Sequence, residues 1–253
     1  MELFDGRALR FDARPIAKRI GLIVLATDHT PEVDFQRIAA SERVGIHVAR
    51  IPYANPTTPE NLRAMKPRLT EAAALILPGE ELDAIAFCCT SASVVIGDDA
   101  VETAVRVAKP DAKVVTPSAS AVRGLKALGA TAISVLTPYT VETSEPMARY
   151  FERHGFVLDR FTCLGLTDDR EMARIELPTL VDLAVRATAP QSQALFVSCT
   201  SVRAASIAAA IEDRMGIPVV TSNQATAWAC LRICGEQARG GRHGLLMSKP
   251  LQW

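Results

Sequence analysis

The feature that most constrains this chain is that it is written twice. Phe87-Cys88-Cys89-Thr90-Ser91-Ala92-Ser93 returns 110 residues later as Val197-Ser198-Cys199-Thr200-Ser201-Val202-Arg203. Each copy follows an apolar run of strand length, Leu82 to Phe87 and Ala194 to Val197, and each precedes a run with helical patterning. Other pieces keep nearly the same spacing. Strands begin at Ile20 and Ile133, Thr27-Asp28-His29-Thr30 is echoed by Thr137-Pro138-Tyr139-Thr140, and Val114-Val115-Thr116-Pro117-Ser118 is echoed by Val219-Val220-Thr221-Ser222-Asn223. Strands that alternate with helices need parallel sheets covered on both faces. The expected fold is therefore α/β, with two pseudosymmetric domains, each a parallel sheet flanked by helices, and the site in the cleft between them. Residues 16–120 with 225–253 are read as the first domain, the last helix returning to it, and 121–224 as the second.

Along the chain, Met1 to Pro15 reads as an arm, and Pro52 to Pro59, with three prolines in eight residues, as a loop. Thr58-Pro59 starts a helix expected to run to about Leu77. Another helix is expected from Val202 to Met215, directly after the second cysteine. The strand-end loops are where parallel sheets bind ligands, outside the carboxyl ends of their strands.

Both cysteines thus stand where a strand gives way to a helix. Unpaired amides and the positive end of the helix dipole lie there, and they favour thiolate over thiol. Two such groups facing one small molecule supply a base or nucleophile on one side and a proton on the other. Thr90, Ser91, Thr200 and Ser201 add hydroxyls and amides suited to carboxylates. Tyr139 is placed to donate to a carboxylate or an enolate, and Asp28 and Asn223 occupy strand-end loops of the same kind. His29 lies at the mouth of the first strand, between a substrate contact and loop packing. Cys88 belongs to its strand and is read as structural, and Cys163 has no echo. Cys230 and Cys234 share a helix face without a second pair of ligands, so no metal is expected.

Composition narrows the partners. Lys plus Arg and Asp plus Glu stand at 28 each, so neither nucleic acid nor an anionic membrane is the expected partner. The N-terminal residues mix Asp5, Arg7, Arg10, Asp12 and Arg14 among the apolar ones, unlike a signal peptide, and no segment has the roughly 18 uninterrupted apolar residues of a membrane span. A cytoplasmic enzyme with free thiols is the expectation. No Gly-x-Gly-x-x-Gly or Gly-Lys-Ser/Thr follows a strand, which argues against nucleotide chemistry.

Cys89-Thr90-Ser91, Thr137-Pro138-Tyr139-Thr140, Ser198-Cys199-Thr200 and Ser222-Asn223-Gln224-Ala225 resemble the aspartate/glutamate racemase superfamily, within it the maleate cis-trans isomerase and arylmalonate decarboxylase branch. Leu164-Gly165-Leu166 with Asp168 to Arg174 is most similar to the maleate-isomerase-like proteins of ectoine utilisation. The resemblance implies a cofactor-independent isomerase of a small carboxylic acid, an even number of subunits, Cys89 as nucleophile, Cys199 as acid/base and Tyr139 as a carboxylate contact. Asp28 stands where those isomerases place an asparagine, so a substrate carboxylate would meet a negative charge there unless Asp28 is protonated or turned away. The decarboxylases have glycine where Cys89 stands, and the amino-acid racemases have Cys-Asn-Thr-Ala at the first site. A racemase, a decarboxylase-like enzyme and a non-catalytic carboxylate sensor are the alternative readings.

Overall fold

A computed structural model describes residues 1, 6 and 9–251 of the chain; part of the expected N-terminal arm lies outside the described residues. The elements in order are β1 (Lys18–Leu25), α1 (Pro31–Ile38), β2 (Val44–Ile51), α2 (Pro59–Arg63), α3 (Leu69–Leu75), β3 (Ala84–Cys88), α4 (Thr90–Ile96), α5 (Asp98–Arg106), β4 (Lys113–Val115) and α6 (Pro117–Ala127). They continue with β5 (Ala132–Tyr139), α7 (Val141–Arg153), β6 (Val157–Leu166), α8 (Asp169–Met172), α9 (Leu177–Ala187), β7 (Ala194–Val197), α10 (Ala208–Met215), β8 (Val219–Thr221) and α11 (Ser222–Cys234).

Two four-stranded sheets result, ordered β2-β1-β3-β4 and β6-β5-β7-β8, with every pairing parallel. The shared order is the duplication in three dimensions. In each sheet the chain turns from one direction to the other between the first and third strands of its half, and the ends of those strands with the loops that leave them carry Asp28 and Cys89 in one half and Tyr139 and Cys199 in the other.

Strand parity sorts the core. Along β1, Ile20, Leu22 and Val24 face the large core that runs through both halves, whereas Ile23 and Leu25 face a second core beneath α2 and α3. Along β3 and beyond it, Ala84, Ala86 and Cys88 join the first and Ile85, Phe87 and Cys89 the second. Helix α11 carries the fully buried Trp228 and packs on α1, α6 and β3 as well as on β8. It starts where the Gln224 side chain folds back to accept the Thr221 N–H at 3.0 Å and ends at Gly235, whose left-handed backbone (φ 71°) is the turn that glycine adopts without penalty.

Two helix expectations need correction. The helix expected from Thr58 to Leu77 is broken into α2, a 3-10 turn at Lys66–Arg68 and α3. Pro67 cannot donate to the preceding turn, and its ring crowds it. The helix expected from Val202 onward is a 3-10 turn at Arg203–Ser206, with α10 beginning only at Ala208. Val202 is extended (ψ 128°), so regular helix cannot start before it.

Candidate active site

Cys89 is the residue before α4, in extended backbone (φ −154°), with its thiol 3.8 Å from the Ser91 hydroxyl and facing the Ala92 N–H. Cys199 follows β7 but no helix follows it, so the matched setting expected for the two cysteines holds for Cys89 alone. Its backbone instead occupies the left-handed region (φ 93°), rare for a residue with a side chain. That turn aims the Cys199 thiol at the Met172 thioether, 3.9 Å away, while the Tyr139 hydroxyl and the Ser201 N–H donate to its sulfur. Cys88, one residue earlier than Cys89, points into the opposite core and is fully enclosed.

The two thiols, one from each half, act on each other electrostatically, and both act on Tyr139 and Tyr53. Each is 4% exposed. Burial pushes each up to about 12, overcoming the nearby amides and hydroxyls. The expectation of thiolates is thereby corrected: in the closed site both are thiols, because desolvation of a buried anion outweighs a few aligned amides. Burial likewise raises both phenols, so Tyr53 and Tyr139 are donors.

Asp28 is 1% exposed and closes one wall. Its Oδ1 accepts the Thr30 N–H at 3.1 Å and its Oδ2 the Thr200 hydroxyl at 2.8 Å, with Ser201 a further donor. Desolvation pushes its carboxyl up to about 6, these donors holding it back from going higher. Asp169, at the start of α8, adds a second buried carboxyl that raises Asp28 and acts on Cys89; it accepts from Thr27 Oγ1 and, at 2.8 Å, from Asn55 Nδ2.

Of the residues singled out in the sequence, Cys89, Cys199, Ser91, Tyr139, Asp28, Thr200 and Ser201 meet in this cluster. Asn223 borders it through the Thr200 carbonyl, and Thr90 does not enter it. The Thr90 hydroxyl donates to Ser222 at 2.8 Å, and the Asn223 amide nitrogen lies 2.8 Å from both Asp34 Oδ2 and the Thr200 carbonyl, so both residues serve as joints between elements. His29 lines an open groove of about 880 Å³ outside the cluster, together with Val33, Arg37, Arg170, Arg174 and Arg203. Tyr53, Asp169 and Met172 are site residues that the sequence reading missed. Tyr53 is the one aromatic side chain of the proline-rich loop, and no local pattern in a loop reports what its side chains reach in the fold. Asp169 stood in plain view in a polar loop, but its reach to Thr27 across 142 residues is not written in local pattern. Among the described residues no cluster of three or more His, Cys, Asp or Glu is arranged to hold a metal ion.

A family model described as arylmalonate decarboxylase matches residues 58–247. The arylmalonate decarboxylase of Bordetella bronchiseptica is 34% identical over 126 residues, so that the match spans 49% of this chain and about half (52%) of that relative. The maleate isomerase of Nocardia farcinica is 25% identical over 226 residues, 85% of this chain and 89% of the relative. A liganded arylmalonate decarboxylase mutant, with glycine replaced by cysteine at one position and cysteine by serine at another, superposes with a TM-score of 0.82 at 29% identity, covering 91% of this chain and 99% of that one.

Proposed function

The chain belongs to the arylmalonate decarboxylase family, and from that premise we propose that it is a cofactor-independent cis-trans isomerase of a small unsaturated carboxylic acid. The observation that carries the reading is the pair of enclosed thiols, one from each half, at corresponding strand ends. Cys89 bonds to one alkene carbon as its proton passes to the Cys199 sulfur, and the proton that Cys199 carried goes to the other carbon. The former double bond is then single and rotates. Cys199 takes a proton back from that carbon and returns one to the Cys89 sulfur as the carbon–sulfur bond breaks, and the trans acid leaves. Tyr139, Ser91 and the Ala92 and Ser201 N–H groups are donors for the carboxylate whose charge grows as sulfur adds.

The maleate isomerase relative aligned over 85% of the chain supports this reading. Decarboxylation of an arylmalonate is the second reading, favoured by the family model and by the 34% identity to the decarboxylase. On the resemblance of Leu164 to Arg174 we further propose a place in ectoine utilisation, in the cytoplasm and as a homo-oligomer. The test is a panel of cis-butenedioate-type acids and phenylmalonate, followed by NMR for trans product or released CO2. Loss of isomerisation in both Cys89→Ser and Cys199→Ser, with the fold retained, is expected. Turnover confined to phenylmalonate would replace the first reading with the second.

A further inference from the structure

We propose that the substrate of the cysteine pair carries a single carboxylate and presents to Asp28 and Asp169 a group that donates hydrogen bonds, a primary amide or an ammonium, in place of a second carboxylate. This deepens the isomerase reading and rests on it.

Two carboxyl groups are enclosed beside the thiols: the Thr200 hydroxyl, next in the chain to Cys199, lies 2.8 Å from Asp28 Oδ2 and 3.2 Å from the Cys88 carbonyl, and the short helix that Asp169 begins carries Met172, 3.9 Å from the Cys199 sulfur. Among the described residues neither belongs to an ion pair, and the groups that donate to them are neutral, namely the Thr30 N–H and the Thr200 and Ser201 side chains for Asp28, and Thr27 and Asn55 for Asp169. The cations in the neighbourhood are committed elsewhere. Arg50 donates to the backbone carbonyls of Leu25 and Asp28, at 3.0 Å each, and pairs with Glu32. Arg170 pairs with Asp168 and Arg37 with Asp34, while Arg203 donates to the Ile175 carbonyl. A dicarboxylate would thus bring a second anion against two enclosed carboxyls, with Arg170 acting on Asp169 but already paired with Asp168, and the repulsion disfavours such a ligand. The single carboxylate is provided for at the sulfurs themselves, where Ser91, Tyr139 and two backbone amides converge. The side of the sulfurs therefore takes an anion and the side of the two carboxyls a donor.

The experiment compares maleate with its monoamide, maleamate, as substrates, and succinate with succinamate as unreactive ligands by titration calorimetry. In the wild type kcat/KM is expected to favour maleamate by about tenfold or more, and Asp28→Asn is expected to shift that ratio toward maleate by a similar factor, mainly through KM. Asp169→Asn provides a second variant should the first not fold, and if neither folds the wild-type ratio decides. Equal or better turnover of maleate, or a ratio that a folded variant leaves unmoved, overturns the inference. If neither acid turns over, the isomerase reading fails and binding decides: tighter succinamate upholds the donor preference, whereas equal binding or none overturns it.

Discussion

Cys199 shows how much one backbone angle settles. Holding a side-chain-bearing residue at φ 93° costs about 1–2 kcal/mol, and glycine is spared that cost. The cost sets the direction of a sulfur at a strand end that no regular helix directly follows. Cys199→Gly is accordingly expected to be more stable than Cys199→Ala by about 1 kcal/mol in urea unfolding, with activity absent in both. Protonation follows from enclosure at the same scale. Since each thiol is pushed up to about 12, alkylation of Cys89 and Cys199 in the substrate-free protein by iodoacetamide, followed site by site by peptide mass spectrometry, is expected to be slow at pH 8 and to rise without a plateau through pH 10. Asp28 titrates at about 6 in the fold against 3.8 as its ordinary value, so the folded state holds the extra proton between those values. The contribution of its neutral form is complete below about 3.8 and is lost as pH rises through about 6. Relative to Asp28→Asn, the wild type is therefore expected to lose on the order of 2–3 kcal/mol between pH 4 and pH 8, read from urea midpoints across that range.

Elements show where local pattern sufficed and where it did not. The tandem Cys88-Cys89 was separable from sequence because consecutive positions at a strand end alternate faces, and the structure sends Cys88 to one core and Cys89 to the other. The strands of both halves were legible for the same reason: buried parallel strands are short, continuous apolar runs. The interruption at Pro67 and the missing helix after Cys199 were not anticipated. Helical spacing of apolar residues survives a one-turn irregularity, so periodicity alone does not report it. The Pro52–Pro59 loop looked like a connector and is a bridge between halves. Its Thr57 N–H donates to the Thr167 carbonyl at 2.7 Å, Thr143 Oγ1 donates to the Thr57 carbonyl at 2.9 Å, and Asn55 exchanges hydrogen bonds with Asp169. Asn55→Ala removes one of the donors that satisfy the buried Asp169 and is expected to cost about 1–2 kcal/mol in chemical denaturation.

The whole molecule is held as one unit by polar joints between its halves as well as by a shared apolar core. Asp28 meets Thr200, Asn223 meets Asp34 and the Thr200 carbonyl, Thr90 meets Ser222, and Tyr150 donates to Asp98 at 2.6 Å. Asn223→Ala leaves the buried Asp34 and the Thr200 carbonyl short of a donor, so a loss of about 2–3 kcal/mol in a single cooperative unfolding transition is expected. Repetition and alternation in the sequence were enough to establish two parallel sheets, their helical covering and the strand ends at which thiols and hydroxyls gather, because those properties depend on residues near one another in the chain. Which groups share a chamber was decided only by the tertiary structure. The partnership of Asp28 with Thr200, of Thr27 with Asp169 and of both cysteines with Tyr53 spans more than thirty to well over a hundred residues, and the protonation of the thiols depends on how completely the folded halves exclude water from them.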